Sequence, residues 1–116
     1  MAIEQKPIDQ KLKAFIIRVL RRSSYLWPAR NEALKAARIE RGFYKCASCK
    51  ETFERKQVQL DHILPVVNIK GFTTWDDYIL RMFPPAEGFS VLCISCHSSK
   101  TLTENFQRQQ YKKKKK

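Results

Sequence analysis

A chain of 116 residues, 43% hydrophobic and 29% charged, has the length of a single domain and too ordinary a composition for general disorder. Its 23 Lys and Arg against 11 Asp and Glu give a formal net charge of +12; the five lysines 112–116 carry five of these, leaving +7 elsewhere. That excess excludes a neutral housekeeping surface and points to a polyanion, nucleic acid foremost, with acidic membrane or ribosome surfaces and plain solubility as alternatives.

Residues 8–41 read as helical and basic. Ile8, Leu12, Phe15, Ile16, Val19 and Leu20 recur at three- and four-residue spacings, the stripe of a core-facing helix. The most apolar run, residues 14–20, is short and contains Arg18, so neither a membrane span nor a signal peptide is expected, and Glu4 and Asp9 argue against a transit peptide. The expectation is a cytoplasmic protein with reduced thiols and no membrane partner. Ser-Ser-Tyr-Leu-Trp-Pro (23–28) breaks the first helix. A second opens near Pro28, runs through Leu34, Ala37 and Ile39, and stops at Gly42.

After residue 43 the pattern changes to short strands and loops. Val58 and Leu60 alternate with Gln57 and Gln59, predicting a half-buried strand that leads into Asp61 and His62. Residues 74–83 predict a short helix capped by Thr74, with Trp75, Tyr78, Ile79 and Met82 on one face and Pro84-Pro85 as its stop. Residues 89–92 predict a strand, and from Ile94 the chain reads as helix up to a solvated, mobile lysine tail.

The four cysteines form two C-x-x-C pairs, Cys46/Cys49 and Cys93/Cys96, separated by 43 residues. Two-residue spacing lets both thiolates of a knuckle face one ion, and two knuckles complete a tetrahedral site. Redox-active pairs and two disulfides are the alternatives, the latter disfavoured by a reducing compartment. A structural zinc with four thiolates has no open position for chemistry. Its expected role is to tie the middle strands to the last helix where core is scarce.

The two histidines follow chemically suggestive neighbours, in Leu60-Asp61-His62-Ile63-Leu64-Pro65 and Cys96-His97-Ser98-Ser99-Lys100-Thr101. A zinc staple would draw His97 towards Asp61 and His62. Taken singly, each histidine also suits a plain structural role, as a polar strand end, a helix cap or a further zinc ligand.

The pattern C-x-x-C … D-H-I-x-P … L-C-x-x-C-H-x-x-K-T, across roughly residues 43–105, resembles the HNH endonuclease family common in bacteriophage genomes. The resemblance implies an α+β fold with a ββα-metal core: a strand pair, a loop and a helix around one divalent cation, braced by a four-cysteine zinc. It implies Asp61 and His97 as ligands of a catalytic Mg²⁺ or Mn²⁺, and His62 as general base. Hydrolysis of a phosphodiester needs a base that is neutral near pH 7 and a cation for the charge on the phosphate and the departing 3′ oxygen. The implied products carry 5′-phosphate and 3′-hydroxyl ends. One position departs from the pattern. The family's middle Asn, nine residues before the metal-binding His, falls on Gly88. That Asn braces the loop through backbone hydrogen bonds, so Asn68, Ser90 or a backbone contact must replace it.

The domain expectation is therefore a basic helical extension (1–42), a zinc-braced nuclease core (43–111) and the lysine tail (112–116). Arg18, Arg21, Arg22, Arg30, Lys35, Arg38 and Arg41 make the extension a phosphate-contacting surface or an ordinary solvated one. Lys100, Arg38 and Arg41 are the expected DNA contacts. Trp27 and Trp75 are expected to anchor packing, with base stacking as the alternative. The function expected is metal-dependent cleavage of DNA, double-stranded, with a dimer or phage packaging proteins as further partners. The alternatives are a zinc-braced nucleic-acid-binding protein without cleavage and a packaging accessory.

Overall fold

The computed structural model describes residues 7–114. Helix α1 (Gln10–Ser23) begins at Asp9, whose carboxylate accepts the Leu12 N–H at 2.8 Å, and ends on Arg21 and Arg22 at the negative end of its dipole. A 3-10 turn (Ser24–Leu26) and Pro28 lead into α2 (Ala29–Ala37). Ala29 and Ala33, one turn apart, are small enough to bring α2 close to Phe89, and these three residues form a small core flanked by Leu60 and Ala86.

Two expectations for this region are corrected. The second helix ends at Ala37, not Gly42, because Arg38–Glu40 is a strand, β1, paired antiparallel with β2 (Phe43–Lys45). Arg41-Gly42 is the two-residue turn between them, with Gly42 at φ 86°, a conformation that favours glycine. β2 pairs in turn with β3 (Thr52–Glu54). The second correction concerns α1, whose predicted stripe is half-buried only at Ile16 and Leu20. None of its residues is buried, and Ile8, Leu12, Phe15 and Val19 are 44–54% exposed. The half-buried face is shifted from the predicted one and takes in Lys13 and Ile17 with Ile16 and Leu20, with the Lys13 ammonium 3.7 Å from the centre of the Phe72 ring. The radius of gyration is 17.3 Å, against about 13 Å for a compact chain of this length, as projecting helices require.

The centre of the fold is a second sheet, β4 (Val58–His62) antiparallel to β5 (Phe89–Cys93), in register from Val58↔Cys93 to His62↔Phe89. Directly paired residues share a face and neighbours alternate. Val58, Leu60 and His62 therefore sit with Cys93, Val91 and Phe89 on the α2 side, while Asp61 sits with Ser90 on the other. Residues 63–88 leave and return between the two strands and carry α3 (Trp75–Met82). Thr74 caps it by accepting the Asp77 N–H at 3.0 Å; Tyr78 and Met82 are buried, and Ile79 is 40% exposed.

Helix α4 (Ile94–Lys114) follows β5 without a loop. It takes in Lys112–Lys114 as its last turn, so the tail expected from residue 112 is helical that far; Lys115 and Lys116 lie outside the described residues. No described helix is long and apolar enough to cross a membrane. The fold is thus a mixture of helices and two small sheets. Its buried apolar residues number ten among those described, two of them cysteines, too few to hold five strands and four helices by burial alone.

Candidate metal centre and active site

Cys46 and Cys49 lie on the β2–β3 turn, where Lys50 adopts φ 67° and its N–H returns to the Cys46 carbonyl at 3.0 Å. The Ala47 N–H donates to the Val91 carbonyl at 2.8 Å, fastening this turn to β5. Cys93 ends β5 and Cys96 lies in the first turn of α4. All four sulfurs lie within 4.8 Å of one another. A tetrahedral zinc with 2.3 Å bonds sets its ligands about 3.8 Å apart, so a small inward movement completes the shell. The Cys93 N–H points at Cys46 Sγ (3.4 Å) and the Cys96 N–H at Cys93 Sγ (3.5 Å), as donors to thiolates do. Burial presses the Cys46 thiol upward, but N–H groups of Cys93, Cys49 and Ser48 outweigh it and bring the pKa down to about 6. Cys96 is pushed up to about 11, chiefly by the Cys93 sulfur. Thiols that crowd each other in this way are relieved by a cation. The cluster can hold a structural metal such as zinc.

The same turn of α4 delivers the second cluster. His97 Nε2 lies 3.5 Å from Asp61 Oδ1. Lys100, one turn further, turns inward: its ammonium bonds Asp61 Oδ2 and the His62 carbonyl, each at 2.5 Å, and lies 3.8 Å from Glu104. Asp61 is largely enclosed, its side chain 17% exposed. Strand alternation places His62 on the opposite side of the sheet, tilted against Phe89 with ring centres 4.8 Å apart. His62 Nε2 lies 3.0 Å from the Met82 carbonyl oxygen. A carbonyl can only accept, so Nε2 carries the hydrogen and Nδ1 the free lone pair. Burial holds the His62 pKa below its ordinary value, the Met82 bond opposes this, and the Arg30 charge adds to the lowering. The ring is therefore neutral at neutral pH.

His62 and His97 both line one surface groove of about 740 Å³ between the N-terminal helices and β4. Arg21, Arg30 and Arg55 line it too, and no Asp or Glu does. The structure therefore brings Asp61, His97 and Lys100 into contact, while the His62 ring lies on the other side of the sheet from Asp61 and shares the groove with His97. It does not bring Arg38 or Arg41 there: both are exposed, on β1 and its turn, and outside the groove. Arg55 was missed by sequence reasoning. Its signal was the capping box from Glu54 to Gln57, which turns the chain into β4 and aims the arginine alongside that strand.

Gly88 has a physical reason. A Cβ there would lie 2.5 Å from Pro84 Cβ, so no asparagine fits without moving the proline. The loop is closed by backbone instead: the Ile63 N–H, next after His62, donates to the Gly88 carbonyl at 2.9 Å. Asn68 is occupied in its own turn, accepting from Lys70 and Gly71, and Ser90 lies opposite Asp61 in the sheet. Trp27 is a packing anchor here, its Nε1–H donating to the Pro84 carbonyl at 2.6 Å and its ring edge-on to Phe83. Trp75 packs against Phe72 and Tyr78. Comparison of the chain with protein-family models, with curated proteins and with solved structures gives no match.

Proposed function

We propose that this chain is a metal-dependent DNA endonuclease of the HNH type. The observation that carries this reading is the meeting of Asp61 from β4 and His97 from α4 at 3.5 Å, with His97 and His62 both lining an arginine-lined groove. The order β4–β5–α4 agrees with the ββα-metal arrangement, and the four-cysteine cage beside it suits the brace such a core uses.

Asp61 and His97 suit a hard divalent ion, Mg²⁺ or Mn²⁺, and the ammonium already resting on Asp61 marks that carboxylate as a cation site. When bound, the ion supplies stabilisation of charge on the phosphate and on the departing 3′ oxygen. The rest falls to the chain. His62 Nδ1 accepts a proton from water as the water oxygen bonds to phosphorus and the P–O3′ bond breaks; the departing 3′ oxygen takes a proton from solvent, leaving a 5′-phosphate and a 3′-hydroxyl. The Met82 carbonyl and Phe89 fix the ring so that Nδ1 stays available. One site cuts one strand per event, so cutting both strands of a duplex takes a second site or a dimer.

A second reading, a zinc-braced DNA-binding module without cleavage, is favoured by Lys100 engaging Asp61 and by Gly88 in place of the Asn. A supercoiled-plasmid assay with Mg²⁺ or Mn²⁺ separates the two. The expected result is relaxed circle from the zinc-loaded wild type, abolished by His62→Ala and by chelation of the divalent ion. Intact plasmid in both metals would establish the second reading.

A further inference from the structure

Three arginines reach the groove from three separate elements: Arg21 from the last turn of α1, Arg30 from the first turn of α2, and Arg55 from the turn before β4. Convergent cations repel one another, and folding normally supplies a carboxylate between them. Here, among the described residues, none of the three has an Asp or Glu oxygen within 4.0 Å. Arg30 is the most constrained. Its guanidinium carbon lies 5.0 Å from the centre of the Tyr25 ring and 5.5 Å from that of Phe89. Two aromatic rings flank the guanidinium where it lines the groove. No described protein acceptor takes its N–H groups. Burial works against its charge, Tyr25 partly offsets this, and Arg55 adds to the penalty. A partly buried, ring-flanked and unpaired guanidinium a short way from two imidazoles is arranged for an anion that is not part of the protein. A phosphate, with three donors around it and no competing carboxylate, fits that description.

We propose that this groove binds the phosphodiester backbone of the strand to be cut, with Arg30 as the bidentate ligand of a phosphate next to the one at Asp61 and His97, and Arg55 and Arg21 holding its neighbours. The inference rests on the endonuclease reading and deepens it: DNA enters along the α1–α2 face, and not over β1, where Arg38 and Arg41 lie. The N-terminal helices are then part of the substrate site rather than a detached basic arm.

The test is the salt dependence of binding to a short fluorescent DNA duplex, read by anisotropy, with the zinc-loaded full chain and Ca²⁺ in place of the catalytic ion. Each phosphate contact contributes about 0.9 to the slope of log K against log salt. Arg30→Gln and Arg55→Gln are each expected to lower that slope by about 0.9. Lys11→Gln makes the same charge change ten residues from Arg21, about 15 Å along α1, and is expected to leave the slope unchanged. Arg30→Lys keeps the charge and loses the fork, so it should keep the slope while weakening binding. Arg55 is exposed, so its variant reports on the groove even if Arg30→Gln folds poorly. The proposal is overturned if Arg30→Gln and Arg55→Gln move the slope no more than Lys11→Gln. Its failure is distinct from that of the nuclease reading. Plasmid nicking with unchanged slopes would remove the groove alone, whereas lost slopes without nicking would support the groove and remove catalysis.

Discussion

Gly88→Ala is a test of the loop geometry that needs only one added atom. Away from a tight contact, replacing a glycine with alanine in a compatible conformation stabilises by about 0.4–1 kcal/mol, through the unfolded chain. Here the new Cβ would stand 2.5 Å from Pro84 Cβ and 3.0 Å from Pro84 Cγ, against a carbon–carbon optimum of about 3.5–4.0 Å. Neither side can yield freely. The Gly88 N–H is bonded to the Pro85 carbonyl and its carbonyl to the Ile63 N–H, while the Pro84 carbonyl is held by Trp27. Overpacking of this kind costs about 1–3 kcal/mol, so the net effect is a loss of about 1–2 kcal/mol. For about a hundred ordered residues each kcal/mol lowers Tm by about 4–8 °C, so the drop should be about 4–16 °C. The strain should also reach the candidate base, because Ile63 follows His62 directly. Thermal melting by circular dichroism and plasmid nicking of the same variant are the assays. Gly88→Asn, which restores the residue of the resembled family, should be worse on both counts. A Tm at or above wild type for Gly88→Ala would refute the account of why glycine stands there.

Two further outcomes follow from the same contacts. Replacing Cys46 with Ser, or stripping zinc with a strong chelator, should abolish cooperative melting; structural zinc contributes about 10–16 kcal/mol in small zinc domains, as much as the whole stability of most domains. A metal-free chain that still melts cooperatively within a few degrees of the zinc-loaded one would show that the apolar clusters suffice. Lys100→Met should leave the largely enclosed Asp61 carboxylate without its cation, at a cost of about 1–3 kcal/mol. Added Mn²⁺ should then narrow the Tm gap between variant and wild type; a gap insensitive to Mn²⁺ would mean that Lys100 and the ion do not share Asp61.

What could be read from the sequence was what a short window encodes. The cysteine pairs, the Val58–His62 alternation, the Thr74 cap and the apolar strand before Cys93 each carry their own pattern, and all appear at the expected positions. What could not be read depends on a partner distant in sequence or on the lack of one. β1 is three residues long and looks like the end of a helix until β2 is there to pair with it. The α1 stripe has the spacing of a buried face, but Ile8, Leu12, Phe15 and Val19 stay about half exposed and only Ile16 and Leu20 are more covered. Arg55 joins Arg21 and Arg30 only in space, and no spacing rule links residues 21, 30 and 55.

The inward turn of Lys100 was equally hidden, and it explains how α4 is held. Cys96, His97, Lys100 and Glu104 recur at helical spacing and so share one face, turned towards the sheet and the cysteine cage. That face carries no aliphatic or aromatic residue at these positions, and α4 has no buried residue among those described. The helix is therefore not docked by the hydrophobic effect, as most helices in globular proteins are. Its anchors are the sulfur cluster at its start, the charges meeting at Asp61, and further along the bond from Arg108 to the Val67 carbonyl at 3.0 Å. A salt bridge at the partly exposed Lys100 offsets little of the ordering cost alone. A metal held by the cysteines would supply most of the docking energy. Because His97 is the residue after Cys96, that same docking sets its distance to Asp61. With zinc in the cage, brace and candidate active site would be one mechanical unit, and chelating it should separate Asp61 from His97 before β4 and β5 come apart.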